Sequence, residues 1–196
     1  MIVVAATQNK HKIKEIHAIT GPFGFEIIPR SDAGVPDFEI EEDGATFEEN
    51  SLKKAMEIHT VCGLPTIADD SGLMVDFLDG APGVYSARFA GEEGNDAKNN
   101  EKLLQLLADA PPEKRKGKFV SVITMVFSPD DIIVARGECS GHILYSVMGK
   151  NGFGYDPLFA PDGYGESFGQ LPVELKNRIS HRAMALKALG EQLQRR

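Results

Sequence analysis

The stretch Thr66-Ile67-Ala68-Asp69-Asp70-Ser71-Gly72 constrains this chain more than any other. Thr66 to Ala68 read as the end of a buried strand, led in by Leu64 and Pro65. Neighbouring strand residues point to opposite faces, so Asp69 and Asp70 share a target only if the strand ends there and the backbone turns. Ser71-Gly72 supplies residues for that turn. Carboxylates at the carboxyl end of a buried strand commonly hold a metal or activate water in an α/β fold. A plain turn is the competing reading, because Asp, Ser and Gly are ordinary turn residues.

The elements around this stretch alternate between strand and helix. Ile2 to Ala6 is a continuous apolar run, the pattern of a buried strand; Thr7-Gln8-Asn9 breaks it, and helical spacing follows from Lys10 to Ile19. A second strand is expected over 25–28, then a polar connection over 29–43. Thr46-Phe47-Glu48-Glu49 has the capping-box form, opening a helix to about Val61 that Gly63 and Pro65 end. Leu73 to Leu78 reads as a separate strand. A helix begins at Asn95 or Asp96 and stops at Pro111-Pro112. Two strands, 119–127 and 132–135, pair around Ser128-Pro129-Asp130-Asp131. A third strand is expected near 142–145, a glycine-rich loop over 149–169, and a final helix from about Ser180 with Leu186, Leu189 and Leu193 on one stripe. The expected fold is an α/β domain spanning 1–196, a sheet with flanking helices and a cleft between two lobes whose boundaries the sequence does not place.

Charge and cysteine content exclude several classes. With 29 acidic against 21 basic side chains the chain is not built to coat a polyanion, though a few lysines can still hold a small anionic substrate. Cys62 and Cys139 are too few for a disulfide framework or a cysteine zinc site. The N-terminal apolar run is too short for a signal peptide and no stretch reaches membrane-spanning length, so a cytoplasmic, reduced protein is expected.

Four further clusters can carry chemistry. Thr7-Gln8-Asn9-Lys10-His11-Lys12 leaves a strand and opens a helix, where free backbone N–H groups favour an anion. Lys12 in the first helical turn opposes the helix dipole, a small cost that an anion offsets. A capped helix with exposed lysines is the plainer alternative, and the P-loop and dinucleotide fingerprints are absent. Asn50 and Lys54 share a helix face, while Glu49 and Lys53 read as an exposed ion pair. Glu41-Glu42-Asp43 reads by itself as a solvated acidic run. Phe153-Gly154-Tyr155-Asp156 offers an aromatic that can stack on a planar base and a carboxylate that can accept from ring N–H groups; the alternative places Phe153 in the core. Ser180-His181-Arg182 opens the last helix, with Ser180 as N-cap and Arg182 again opposed to the dipole.

Thr-x-Asn-x-x-Lys, Ala-Asp-Asp-Ser-Gly-Leu, Pro-Gly-Val-Tyr-Ser-Ala-Arg-Phe, Gly-Phe-Gly-Tyr-Asp-Pro and Ile-Ser-His-Arg occur in one order over nearly the whole chain. In that order they resemble the inosine triphosphate pyrophosphatase family, the noncanonical purine nucleoside triphosphate pyrophosphatases. The resemblance implies a long mixed sheet, two lobes around a deep nucleotide-binding cleft, a homodimer, and Mg²⁺-dependent hydrolysis of ITP, dITP and XTP to monophosphate and pyrophosphate. By the same resemblance Thr7 to Lys12 form the triphosphate loop, including Gln8, Asn9, Lys10 and His11. Glu42 and Asp70 become metal ligands, and Asp70 the general base with Asp69 in support. Ser71 and Lys54 become substrate contacts, and Phe153, Gly154, Tyr155, Asp156, Lys176, His181 and Arg182 the nucleotide-recognition set. Gln8 departs from a common glycine, and Lys150-Asn151 stand before Gly152 where paired glycines are common. The competing readings are a Maf-like pyrophosphatase for modified pyrimidine nucleotides and a nucleotide-binding module without turnover. Phe-Gly-Tyr-Asp-Pro and Ser-His-Arg count against the first, and the carboxylates beside a triphosphate count against the second.

Overall fold

A computed structural model describes residues 1–7, 10–92 and 94–195, without the side chains at 10, 11, 18 and 19. Among these residues, six strands form one sheet in the order β2-β1-β3-β4-β5-β6. They are β1 (Ile2–Ala5), β2 (Glu26–Pro29), β3 (Thr66–Val75), β4 (Lys116–Ser128), β5 (Asp131–Ile143) and β6 (Phe159–Pro161). The helices are α1 (Lys10–Thr20), α2 (Phe47–Cys62), α3 (Asp96–Leu106), α4 (Val173–Ile179) and α5 (His181–Gln194). β1 is parallel to both β2 and β3, whereas β5 and β6 are antiparallel, so the sheet is mixed as expected.

Local chemistry explains the helix and hairpin boundaries. At the start of α2 the Thr46 hydroxyl accepts from the Glu49 N–H while the Glu49 carboxylate accepts from the Thr46 N–H, completing the capping box. Gly63 ends α2 in the left-handed region at φ 65°, its N–H donating to the His59 carbonyl. Pro129-Asp130 links β4 to β5, and the buried residues of β5 alternate with outward-facing ones, the mark of a strand with one solvated face.

Several expectations need correction. β3 runs unbroken from Thr66 to Val75, so Ser71-Gly72 is not a turn and the strand expected at 73–78 is the end of β3 followed by a short 3₁₀ turn at Asp76–Leu78. Pairing within a sheet has overridden the turn preference of Ser and Gly. The third strand expected near 142–145 is the end of β5, and the 149–169 region contains β6. α4 was not expected at all; Ser180, in extended conformation, separates it from α5.

The chain divides into two compact units. The first comprises 1–70, 121–137 and 182–196; the second comprises 71–120 and 138–181. The first packs apolar side chains on both faces of its strands. Val3, Ala5, Ile67, Ile123 and Met125 meet Ile16 of α1 and Ala185, Leu186 and Leu189 of α5. Val4, Ala6, Ala68 and Val126 belong to another cluster with Ala55 and Ile58 of α2. The alternation Val3/Val4 and Ile67/Ala68 is the period of a strand buried on both sides. The second unit has its own core, in which Leu73, Val75 and Phe119 pack with Leu103 of α3, with Leu107 at its C-terminal cap, and with Tyr155, Phe159 and Phe168.

Candidate active site

The same alternation decides where the paired aspartates go. Ile67 faces α1 and α5, and Asp69 lies two residues on, so it shares that face. Its carboxylate is fully enclosed and receives Lys12 Nζ at 3.0 Å and Arg182 Nη2 at 3.4 Å, while Arg182 Nη1 reaches Glu15 Oε2 at 2.7 Å. Burial alone would raise the proton affinity of Asp69, but Lys12, Arg182 and Lys54 outweigh it and hold the carboxyl well below the usual range. Arg182 is likewise pushed down by burial and more than restored by Asp69 and Glu15, so it stays charged. The two cations that oppose helix dipoles at the starts of α1 and α5 thus answer to one protein carboxylate.

Asp70 follows Ala68 onto the α2 face. Lys54 Nζ lies 3.0 Å from its Oδ1, and Asn50 Nδ2 donates to its Oδ2 at 3.3 Å. Asn50 and Lys54 are one helical turn apart, as their spacing requires. The Lys54 ammonium also contacts Glu42 Oε1 at 3.1 Å, so Glu42 and Asp70 converge on one cation. Asn50 is oriented by the Gly44 N–H, which donates to its Oδ1 at 2.8 Å. A side chain at Gly44 would collide with that oxygen, which accounts for the glycine there. Burial raises the proton affinity of Asp70, Lys54 lowers it and Glu42 raises it again; the result is a pKa of about 6. Lys54 itself is disfavoured by burial but held protonated by Asp70 and Glu42. Glu49 and Lys53 do not pair as expected: the capping box occupies Glu49, and Lys53 reaches Asp43 at 2.7 Å.

A third cluster lies in the second unit. Asp156 is buried and its Oδ2 receives the Phe153 N–H at 2.8 Å and Lys176 Nζ at 2.6 Å. Lys176, in the last turn of α4, sits over the Phe153 ring at 4.8 Å. Phe153 is 40% exposed, which removes the reading of it as a core residue. Gly152 is left-handed at φ 76°, and a Cβ there would run into Asp156 Oδ2. Tyr155 is buried, its hydroxyl donating to the Ser86 carbonyl at 2.9 Å, and burial raises its proton affinity. His181 stacks on Phe119 with ring centroids 4.7 Å apart and planes within 14°. The backbone N–H groups of Lys150 and Asn151 both donate to the Gly169 carbonyl, bonds that need no particular side chain at either position.

The structure therefore groups Lys12, Asp69 and Arg182; Glu42, Lys54 and Asp70; and Phe153, Asp156 and Lys176. Thr7 lies two residues past the end of β1, and Ser71 is part of β3. Gln8 and Asn9 lie outside the described residues, as do the side chains of Lys10 and His11. Sequence reasoning passed over Glu15, whose one-turn spacing from Lys12 was the available signal; Ser86, which lies inside the Pro-Gly-Val-Tyr-Ser-Ala-Arg-Phe motif but was given no role; and Asp96, Asn99 and Asn100, which bond to main chain and carry no motif. Among the described residues no three His, Cys, Asp or Glu side chains gather as metal ligands. Glu42 and Asp70 together supply hard oxygen donors, a set that suits a Mg²⁺ ion completed by phosphate and water.

Comparison with known proteins shows the family of the chain. The Ham1 family profile matches residues 3–192. A dITP/XTP pyrophosphatase of Haemophilus influenzae is 51% identical, covering 97% of this chain and 98% of that protein. The dITP/XTP pyrophosphatase of Clostridium perfringens is 47% identical, with 97% and 96% covered. Among solved structures, the Ham1 protein of Staphylococcus aureus superposes with a TM-score of 0.90 at 40% identity over 99% of this chain and 98% of that one. A HAM1 protein from Coxiella burnetii gives 0.92 at 36% identity over the full length of both. The chain belongs to the Ham1 family.

Proposed function

We propose that this protein hydrolyses noncanonical purine nucleoside triphosphates, dITP, ITP and XTP, to the monophosphate and pyrophosphate, clearing damaged purines from the nucleotide pool. The observation that carries the proposal is Asp70: a buried carboxylate 3.0 Å from the Lys54 ammonium that Glu42 also contacts, its proton affinity raised by burial and by Glu42. A base poised near neutrality is what proton abstraction from water requires. Relatives named dITP/XTP pyrophosphatase supply the substrate class.

In this reading Asp70 takes the proton of the water that attacks the α-phosphorus, and pyrophosphate leaves. Lys54 donates to the phosphates, as do Lys12 and the loop Thr7, Gln8, Asn9, Lys10 and His11; Asp69 keeps Lys12 and Arg182 in place. Glu42 and Asp70 would hold Mg²⁺, which when bound neutralises phosphate charge and lowers the pKa of water. Ser71 contacts substrate. On the base side, Phe153 supplies a stacking surface, Gly154 and Tyr155 shape its loop, and Lys176, His181 and Arg182 complete nucleotide recognition, with Asp156 fixing Lys176. A donor such as Lys176 suits the C6 keto group of inosine and xanthosine, whereas the amino group of adenine would face it donor to donor. Exclusion of GTP, which shares the keto group, rests on the space near C2.

The proposal includes a cytoplasmic homodimer. Tyr145, Val147 and Met148 are large, exposed and close in sequence, which favours an apolar contact surface, and light scattering tests it. No helix among the described residues is long and apolar enough to cross a membrane. The deciding assay is pyrophosphate release from ITP, dITP, XTP, GTP, ATP and a modified pyrimidine triphosphate, with and without Mg²⁺. Metal-dependent turnover of dITP and XTP with ATP spared is expected. Preference for the pyrimidine, or binding without turnover, would overturn the reading.

A further inference from the structure

The loop Phe153–Asp156 is held from α3, by residues outside the family motifs. The Gly154 N–H donates to Asp96 Oδ2 at 2.6 Å, and the Gly154 carbonyl accepts from Asn100 Nδ2 at 2.9 Å. Asp96 and Asn100 are four residues apart on α3 and so lie on one helix face. The pairing amounts to a clamp on both polar groups of a single glycine, whose φ of 61° puts it in the left-handed region. Asn99 extends the clamp in the other direction: its Oδ1 accepts from the Ala90 N–H at 2.8 Å and its Nδ2 donates to the Ala87 carbonyl at 3.1 Å. The neighbouring Ser86 carbonyl accepts from the Tyr155 hydroxyl, so the loop, the 86–90 segment and α3 form a closed ring of hydrogen bonds.

The effect on Phe153 follows from peptide geometry. A side chain leaves its Cα in a direction set by the two flanking peptide planes. The N–H of the peptide before Phe153 Cα is held by Asp156 Oδ2, and the N–H of the peptide after it by Asp96 Oδ2. Asn100 then fixes the next carbonyl along. With the ring itself 40% exposed, these bonds rather than core packing aim it.

We propose that Asp96 and Asn100 are positioning residues for base recognition, setting the attitude of the Phe153 ring against the purine. This rests on the reading of Phe153 as the stacking surface. Without the clamp the loop samples other orientations, and the substrate pays for reordering it on binding. The groups proposed for phosphate binding belong to other segments of the chain and are untouched.

The test compares Asp96→Ala, Asp96→Asn and Asn100→Ala in the Mg²⁺-supplemented full chain. Readouts are KM and kcat for ITP and the inhibition constant of inorganic tripolyphosphate, which has no base. For both alanine variants the expected result is a KM raised about tenfold, the loss of roughly one hydrogen bond, with kcat falling less and tripolyphosphate inhibition unchanged. Asp96→Asn keeps an acceptor for the Gly154 N–H and recovers most of the KM. Asp96 is exposed, so Asp96→Ala remains informative if Asn100→Ala does not fold. An unchanged KM in folded Asp96→Ala, or tripolyphosphate binding weakened in proportion, would overturn the proposal and leave the pyrophosphatase reading standing. A wild-type protein that does not turn over ITP would overturn both.

Discussion

Asp69 and Asp70 are adjacent, chemically identical and both buried, yet their proton affinities move in opposite directions. Asp69 faces two cations, Lys12 and Arg182, and remains ionised. Asp70 shares one ammonium with Glu42, so its burial is only partly offset and its pKa rises to about 6. The strand places them on opposite faces, and the helices on each face decide the chemistry. Adjacency in sequence therefore says nothing about shared function here: one carboxylate is a fixed countercharge and the other is suited to moving a proton.

That comparison can be broken at several points. Asp70→Asn should retain the fold and lose roughly a hundred- to ten-thousand-fold in turnover, the scale of a general base; pyrophosphate release that is undiminished would remove Asp70 from the chemistry. Asp69→Asn should act mainly on stability, because it takes one carboxylate partner from the buried Arg182 guanidinium. A loss of about 3–5 kcal/mol is expected by urea unfolding, larger than for Asp70→Asn, and equal losses would erase the distinction.

Smaller effects sharpen it. In metal-free protein the Asp70 carboxyl should titrate near pH 6, followed by its carboxyl-carbon chemical shift, and Mg²⁺ should move that midpoint down. The folded form holds this proton from the ordinary value of 3.8 up to about 6 while the unfolded form does not, so the group's contribution to stability falls as pH rises through that window. Asp69 has the opposite sign. Its folded affinity is lowered, so its contribution is present above 3.8 and is lost as pH falls below that value. Phe153→Ala should raise KM for ITP with a smaller change in kcat, by about one stacking interaction, roughly five- to a hundredfold; an unaffected KM would leave that ring without a part in binding.

What was legible in the sequence depended on how local its cause is. The Thr46–Glu49 box, the Gly63 stop and the Ile2–Ala5 strand were readable because a few neighbouring residues determine each. The course of β3 was not, because Ser71-Gly72 prefers a turn locally and the sheet overrules it. α4 was hidden by its seven-residue length and the lack of a side-chain cap bond at Pro172. At the site, the residue types were visible but their grouping was not. Nothing in the order of residues says that Lys12 and Arg182 converge on Asp69 while Lys54 takes Asp70, since that assignment belongs to strand direction and helix docking. Asn100 was beyond reach because an asparagine bonded to a distant backbone carbonyl leaves no local pattern.

The first unit is assembled from three separated pieces of chain, and Asp69 is paired with a residue from the last of them. During synthesis, Asp69 and Lys12 emerge long before Arg182 does, so until then the carboxylate lacks one of the cations that hold it ionised. The second unit, 71–120 with 138–181, is entirely translated before α5 appears. Helix α5 is therefore a late-arriving lock: a chain ending before residue 182 contains the whole of the second unit's core, but the first lacks both the arginine and the apolar stripe of Ala185, Leu186 and Leu189 that close it.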